Sequence, residues 1–197
     1  MIFKGGLLMS KGNSNLFHYT LGTTVSGLTQ PLESYSDRGI EIPQHIKDML
    51  LQLPKTGRFI RGSKDDFSIQ DVSIMSRETG VEFAKITIGD SAYLIRGDQF
   101  GAVIPDSLLK KMKKAGSSFD YHSHPHNDDI IPSESDIKAF KKISRKTGQS
   151  SSMIITPNGK KSSYNGSGII SVGTIEHTVN DDYKKALAQL FGGSLYD

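Results

Sequence analysis

The sequence predicts an α/β fold of the α+β kind: a mixed but largely antiparallel sheet with flanking helices. Three observations predict it. Residues 81 to 88 and 91 to 96 alternate apolar and polar around Gly89-Asp90, the pattern of a β-hairpin. Residues 152 to 156 and 161 to 164 repeat it around Pro157-Asn158-Gly159. Apolar residues at helical spacing fill segments between these strands, so helices and hairpins are interleaved.

The elements follow in order. Residues 10 to 40 are rich in Gly, Ser, Thr and Asn, so that 1 to 40 reads as a flexible arm or linker, leaving 41 to 197 as one domain. Ile46, Met49, Leu50 and Leu53 define a helix that Pro54 stops. Phe59 and Ile60 suggest a short strand. Ser68, with Asp71 three residues on, caps a second helix that ends before Gly80. After the hairpin, Asp106 to Lys114 reads as a helix closed by Gly116, and Phe119 to His124 as a strand. Ser133-Glu134-Ser135-Asp136 is a helix start, and a basic amphipathic helix runs from there to Thr147. The second hairpin, a strand at 169 to 175 and a helix at 181 to 191 complete the chain.

Composition narrows the function. The chain has 197 residues, a net charge of +3 and no cysteine. Disulfides, thiolate-bound zinc, iron–sulfur clusters and thiol nucleophiles are therefore excluded. The small net charge gives no argument for nucleic acid, and the run Lys110-Lys111-Met112-Lys113-Lys114 reads as a solvated helix face. No apolar run approaches the ~18 residues of a membrane span. The short apolar patch within residues 1 to 9 is too short for a secretory signal peptide.

The chemistry concentrates in Tyr121-His122-Ser123-His124-Pro125, with Ser133 and Asp136 following. In an extended strand, residues two apart point the same way, so His122 and His124 face one point. Asp136, on a helix after a short loop, is placed to join them. Two imidazoles and one carboxylate leave a tetrahedral position open, as in a catalytic rather than a structural zinc site. The plain alternatives are two solvated imidazoles, and a capping box in which Asp136 serves only the helix. A capped helix start is also a rigid mount for a ligand, so the readings are compatible. A general base is still needed. Glu82 shares a strand face with Ala84, Ile86 and Ile88, where a carboxylate requires a polar partner. Glu78, next to Arg77 at a helix end, is the rival.

Together, an upstream Glu, His-Ser-His-Pro and Ser-x-x-Asp before a helix resemble the JAMM (MPN+, JAB) family of zinc metallohydrolases over residues 68 to 165. The resemblance implies a cytidine-deaminase-like sandwich of a curved sheet with flanking helices. It implies Zn2+ on His122, His124 and Asp136. Glu82, or else Glu78, would be the general acid/base and Ser133 the donor to the oxyanion. The implied reaction is hydrolysis of a peptide or isopeptide bond in a protein substrate, including ubiquitin-like proteins. Eight residues separate His124 from Ser133 where the family has seven. This leaves open whether Ser135 replaces Ser133, and whether Asp128 or Asp129 competes with Asp136. Residues 77 to 136, and the Gly-Asn-Ser-Asn-Leu-Phe run at 12 to 17, further resemble C-terminal domains of bacterial polymorphic toxins. That implies a cytoplasmic domain, or one exported by a specialised secretion system, with a cognate immunity protein as partner. The rival reading is a metal-free MPN-type interaction scaffold. Metallo-β-lactamase and amidohydrolase patterns do not fit, because His126 falls where the first needs an Asp and too few residues follow His124 for the second.

Overall fold

The structure is a computed structural model, and it describes residues 41–112 and 116–175, the strand Tyr19–Thr20, and positions 34, 36 and 39. The helix expected at 181 to 191 and most of the N-terminal arm lie outside the described residues.

The elements run β1 (Tyr19–Thr20), α1 (Gln44–Gln52), β2 (Phe59–Ser63), α2 (Ile69–Thr79), β3 (Phe83–Ile88), β4 (Ser91–Arg96), β5 (Val103–Ile104), α3 (Asp106–Lys111), β6 (Ser117–Ser123), α4 (Glu134–Thr147), β7 (Ser152–Ile155), β8 (Lys160–Asn165) and β9 (Gly168–Thr174). Seven strands form one sheet in the order β2-β4-β3-β6-β7-β8-β9, and β1 pairs with β5 apart from it. Every pairing in the large sheet is antiparallel except β6 with β7. That pair is joined by α4, since parallel neighbours need a crossover.

Both predicted caps form as the sequence implies. Ser68 Oγ accepts from the Asp71 N–H at 3.1 Å, and Gly80 closes α2 with φ 64°, a left-handed conformation that only glycine adopts without cost. The expected Asp106–Lys114 helix is shorter. It ends at Lys111, because Met112 turns to extended backbone and buries its side chain against the sheet. The strand expected at Phe59 extends to Ser63, where it pairs with β4 along its whole length.

The helices cover both faces of the sheet. Ile46 of α1 and Val72, Ile74 and Met75 of α2 pack with Phe83, Leu94, Tyr121 and Ile155. Leu108 and Leu109 of α3 and Ala139, Phe140 and Ile143 of α4 pack with Ala84, Ile86, Ile95, Phe119 and Ile154. Burial on both sides removes the question of which face of β3 is the inner one.

One irregularity matters for the site. Lys85 lies opposite Tyr121, but the next residue, Ile86, lies opposite Phe119, so Asp120 is an extra residue in β6. This β-bulge is held by Asp120 itself, whose carboxylate accepts from the hydroxyls of Thr87, at 2.6 Å, and Ser118. Its effect is to put Phe119 and His122 on one face although they are three residues apart.

Candidate metal centre

His122 is near the end of β6 and His124 immediately follows it. The His124 N–H donates to the Ile155 carbonyl at 2.9 Å, which continues the β6–β7 pairing past the strand end. The two rings therefore point to the same side, with their Nε2 atoms 3.0 Å apart. Between them, Ser123 turns to the other face, where its Oγ accepts from the Phe83 N–H at 2.9 Å and ties β6 to the start of β3.

Asp136 arrives from the first turn of α4. Ser133 is the N-cap of that helix, and the two residues form a reciprocal capping box. Asp136 Oδ2 accepts from the Ser133 N–H and hydroxyl, both at 2.7 Å. Asp136 Oδ1 faces His122 Nε2 at 3.4 Å, and Oδ2 is 3.6 Å from His124 Nε2. All three side chains are fully buried. Their ligand atoms lie within 4.8 Å of one another, and the group could hold a metal ion.

The donor set fits a zinc-sized ion. Ligands about 2.0–2.1 Å from a tetrahedral ion sit roughly 3.3–3.4 Å from each other, and the separations here are 3.0 to 3.6 Å. The surroundings fit as well. His124 Nδ1 lies 2.6 Å from the Asp129 carbonyl oxygen, which can only accept, so Nδ1 carries a proton there. Nε2 is then the nitrogen left to bind a metal, an orientation set from outside the ligand group. The His122 ring is held by carbon contacts: it stacks on Phe119 at 5.6 Å and meets the edge of Tyr164 at 5.8 Å.

Electrostatics separate the two imidazoles. Burial pushes the His122 pKa below its usual value, against the pull of Asp136. Burial acts the same way on His124, but hydrogen bonding to Asp129 and Asp136, with the nearby Glu82 charge, overcomes it and pushes its pKa up to about 10. Burial would raise the Asp136 pKa, yet the two imidazoles hold it well below the usual carboxylate range. Without metal, then, neutral solution leaves His122 uncharged, His124 an imidazolium and Asp136 a carboxylate.

The remaining candidate residues sort by position. Glu82 precedes β3 rather than lying within it, and its backbone pairs with Asp98 and Gly97 at 2.9 and 2.8 Å. Its side chain is fully buried, and its charge acts on His124 and Tyr164. Glu78 sits on α2, across the sheet from α4, where it accepts from the Ser36 N–H at 3.2 Å. Asp128 makes an exposed ion pair with Lys160 at 2.5 Å. Asp129 stands behind His124, its carboxylate 3.4 Å from Nδ1, and so does not join the Nε2 side. The Ser133 hydroxyl is engaged with Asp136 and with Ser135 Oγ at 2.8 Å, so the two serines form one chain. The long loop before Ser133 is pinned by the Ser162 hydroxyl, which donates to the Ile130 carbonyl at 2.5 Å.

Sequence reasoning did not single out Phe119, Tyr164, Ser123 or the Asp129 carbonyl. Only the spacer position of Ser123, between two histidines, carries a signal in the sequence. Among the described residues no helix is long and apolar enough to cross a membrane. No family model matches the chain, and no curated protein or solved structure matches it either.

Proposed function

We propose that this chain is a zinc-dependent hydrolase of amide bonds, peptide or isopeptide, of the JAMM type. The observation that supports it most is the buried convergence of His122, His124 and Asp136 with separations suited to one small cation. Zinc held there would supply Lewis acidity and activate water for attack on a carbonyl near neutral pH. Glu82 is the base in this reading: it takes a proton from the attacking water and returns it to the leaving amine. Its burial beside His124 supports that role, and the distance of Glu78 on the far face of the sheet argues against the alternative. Ser133 has two tasks in the proposal. It aims the Asp136 carboxylate, and on substrate binding its hydroxyl turns toward the developing oxyanion while Ser135 stays bonded to its oxygen. A protein substrate, and the setting of an exported bacterial toxin domain with an immunity partner, belong to the same proposal and rest on the sequence resemblance.

The test is metal content of protein purified without chelator, beside a His122→Ala/His124→Ala variant, followed by cleavage of isopeptide-linked and peptide substrates. The expected result is about one zinc per chain, lost in the variant. Glu82→Gln should keep the metal and lose hydrolysis by about 100-fold or more. Protein that takes up no metal even from excess would overturn the proposal and leave a scaffold of the same fold.

A further inference from the structure

We infer that Gln149, a residue with no atom in the candidate metal centre, is a positioning residue for His122. It follows Gly148, the left-handed C-cap of α4, on the way into β7. At this point β6 lacks a strand partner on the β7 side, because pairing with β7 starts at Tyr121. The Gln149 side chain takes that place. Its Oε1 accepts from the Phe119 N–H at 2.8 Å, and its Nε2 donates to the Phe119 carbonyl at 2.6 Å and the Ser151 carbonyl at 2.5 Å. The amide thus satisfies both backbone groups of one residue, as a neighbouring strand would. Gln149 is itself fixed: its N–H donates to Thr147 Oγ1 at 3.2 Å, and its carbonyl accepts from the Ser144 hydroxyl at 2.6 Å.

The clamped residue carries the consequence. Phe119 borders the Asp120 bulge, and its ring lies flat against the His122 imidazole, 5.6 Å between centroids and 17° between planes. His122 Nδ1 makes no hydrogen bond, so no polar contact behind the ring orients it as the Asp129 carbonyl orients His124. On the side away from His124 and Asp136, the His122 ring is therefore held by aromatic contacts alone, and Phe119 holds its own place through Gln149. The two ends of α4 act on the same pair of histidines: the N-terminus presents Asp136, and the residue after the C-cap fixes the wall behind His122.

This inference rests on the metal reading above, and its test separates the two. Gln149→Met fills the same space without hydrogen bonds. Cobalt(II) affinity by chelator competition, the cobalt d–d spectrum, and the His122 ring resonances of the metal-free protein are measured for wild type and variant. Val72→Ala, in the core on the opposite face, controls for lost stability through its own change in melting temperature. The expected result is cobalt affinity down about tenfold or more, shifted d–d bands, and His122 resonances that move more than those of His124. Unchanged affinity and unchanged His122 resonances overturn the inference, as does an equal loss of affinity in Val72→Ala at matched stability. If wild type binds no cobalt, the metal reading fails, and the metal-free ring resonances alone decide: a His122 shift sustains the role of Gln149, and no shift ends it. Should Gln149→Met not fold, Gln149→Glu, which keeps the acceptor for the Phe119 N–H, is read by the same criteria.

Discussion

Strands β3 and β6 bury both faces, and the two faces handle polar groups in opposite ways. Toward α1 and α2, the polar tips of Tyr121, Lys85 and Ser123 each end on a backbone group, Ser123 on the Phe83 N–H. The Tyr121 hydroxyl donates to Phe67 at 2.5 Å, and Lys85 Nζ donates to Lys64 and Asp66 at 3.1 and 2.7 Å. Toward α3 and α4, His122, His124, Asp136 and Glu82 are buried near one another within an apolar wall that includes Phe119, Phe140 and Tyr164. One face closes its polar groups off. The other gathers ionisable groups whose protonation states depend on each other. A polar residue in the first setting is a structural plug, whereas in the second its charge is set by its ionisable neighbours.

The comparison breaks most visibly at Asp136. Asp136→Ala removes one candidate ligand and one of the two aspartates that hold the buried His124 imidazolium. We expect metal affinity to fall by at least two orders of magnitude and the metal-free protein to lose about 3 kcal/mol, measured by chelator competition and urea unfolding. Full metal binding by this variant would end the distinction between the faces.

Acidity gives the next largest effect. The His124 pKa is raised, so its contribution to stability is complete below 6.5 and is lost as pH rises toward about 10. The His122 pKa is lowered, so stability is lost as pH falls below 6.5, where the unfolded chain takes up a proton that the native imidazole refuses. The Asp136 carboxylate adds stability above 3.8 that disappears in stronger acid. Melting temperature of the metal-free protein should therefore peak near pH 6.5. Metal should remove the alkaline decline, because it replaces the His124 proton. A flat alkaline limb without metal would show that His124 holds no extra proton.

The smallest effect sharpens the comparison from the other side. Tyr121→Phe removes a plug and leaves the Phe67 carbonyl short of a donor, at a cost of about 1–2 kcal/mol. Metal affinity should stay at the wild-type value, although Tyr121 adjoins His122 in sequence.

Much of the site was legible because its rules are local. Alternation put His122 and His124 on one side, and helix-capping chemistry put Asp136 in the first turn behind Ser133. The same rules left Glu82 and Glu78 undecided, because the choice depends on which helices cover which face. Alternation misplaces Phe119, grouping it with Tyr121, because a bulge is a tertiary event with no mark in Ser-Phe-Asp-Tyr. Gln149 was invisible for a related reason: a side chain standing in for a strand has no periodicity. The parallel pairing of β6 with β7 was hidden too, since the frequent hairpins argue only for antiparallel neighbours.

The bulge also bears on which changes of chain length this fold accepts. Phe119 opposite Ile86 and Tyr121 opposite Lys85 are already the pairs of an unbroken ladder with Asp120 left out. Loss of the Asp120 codon would leave the partners on both sides in register with their own side chains, whereas loss of Tyr121 would set the Asp120 carboxylate opposite Lys85, in the apolar core toward α1 and α2. Of the three residues at the bulge, Asp120 is the one whose deletion takes no side chain out of either core and leaves the paired histidines where they are.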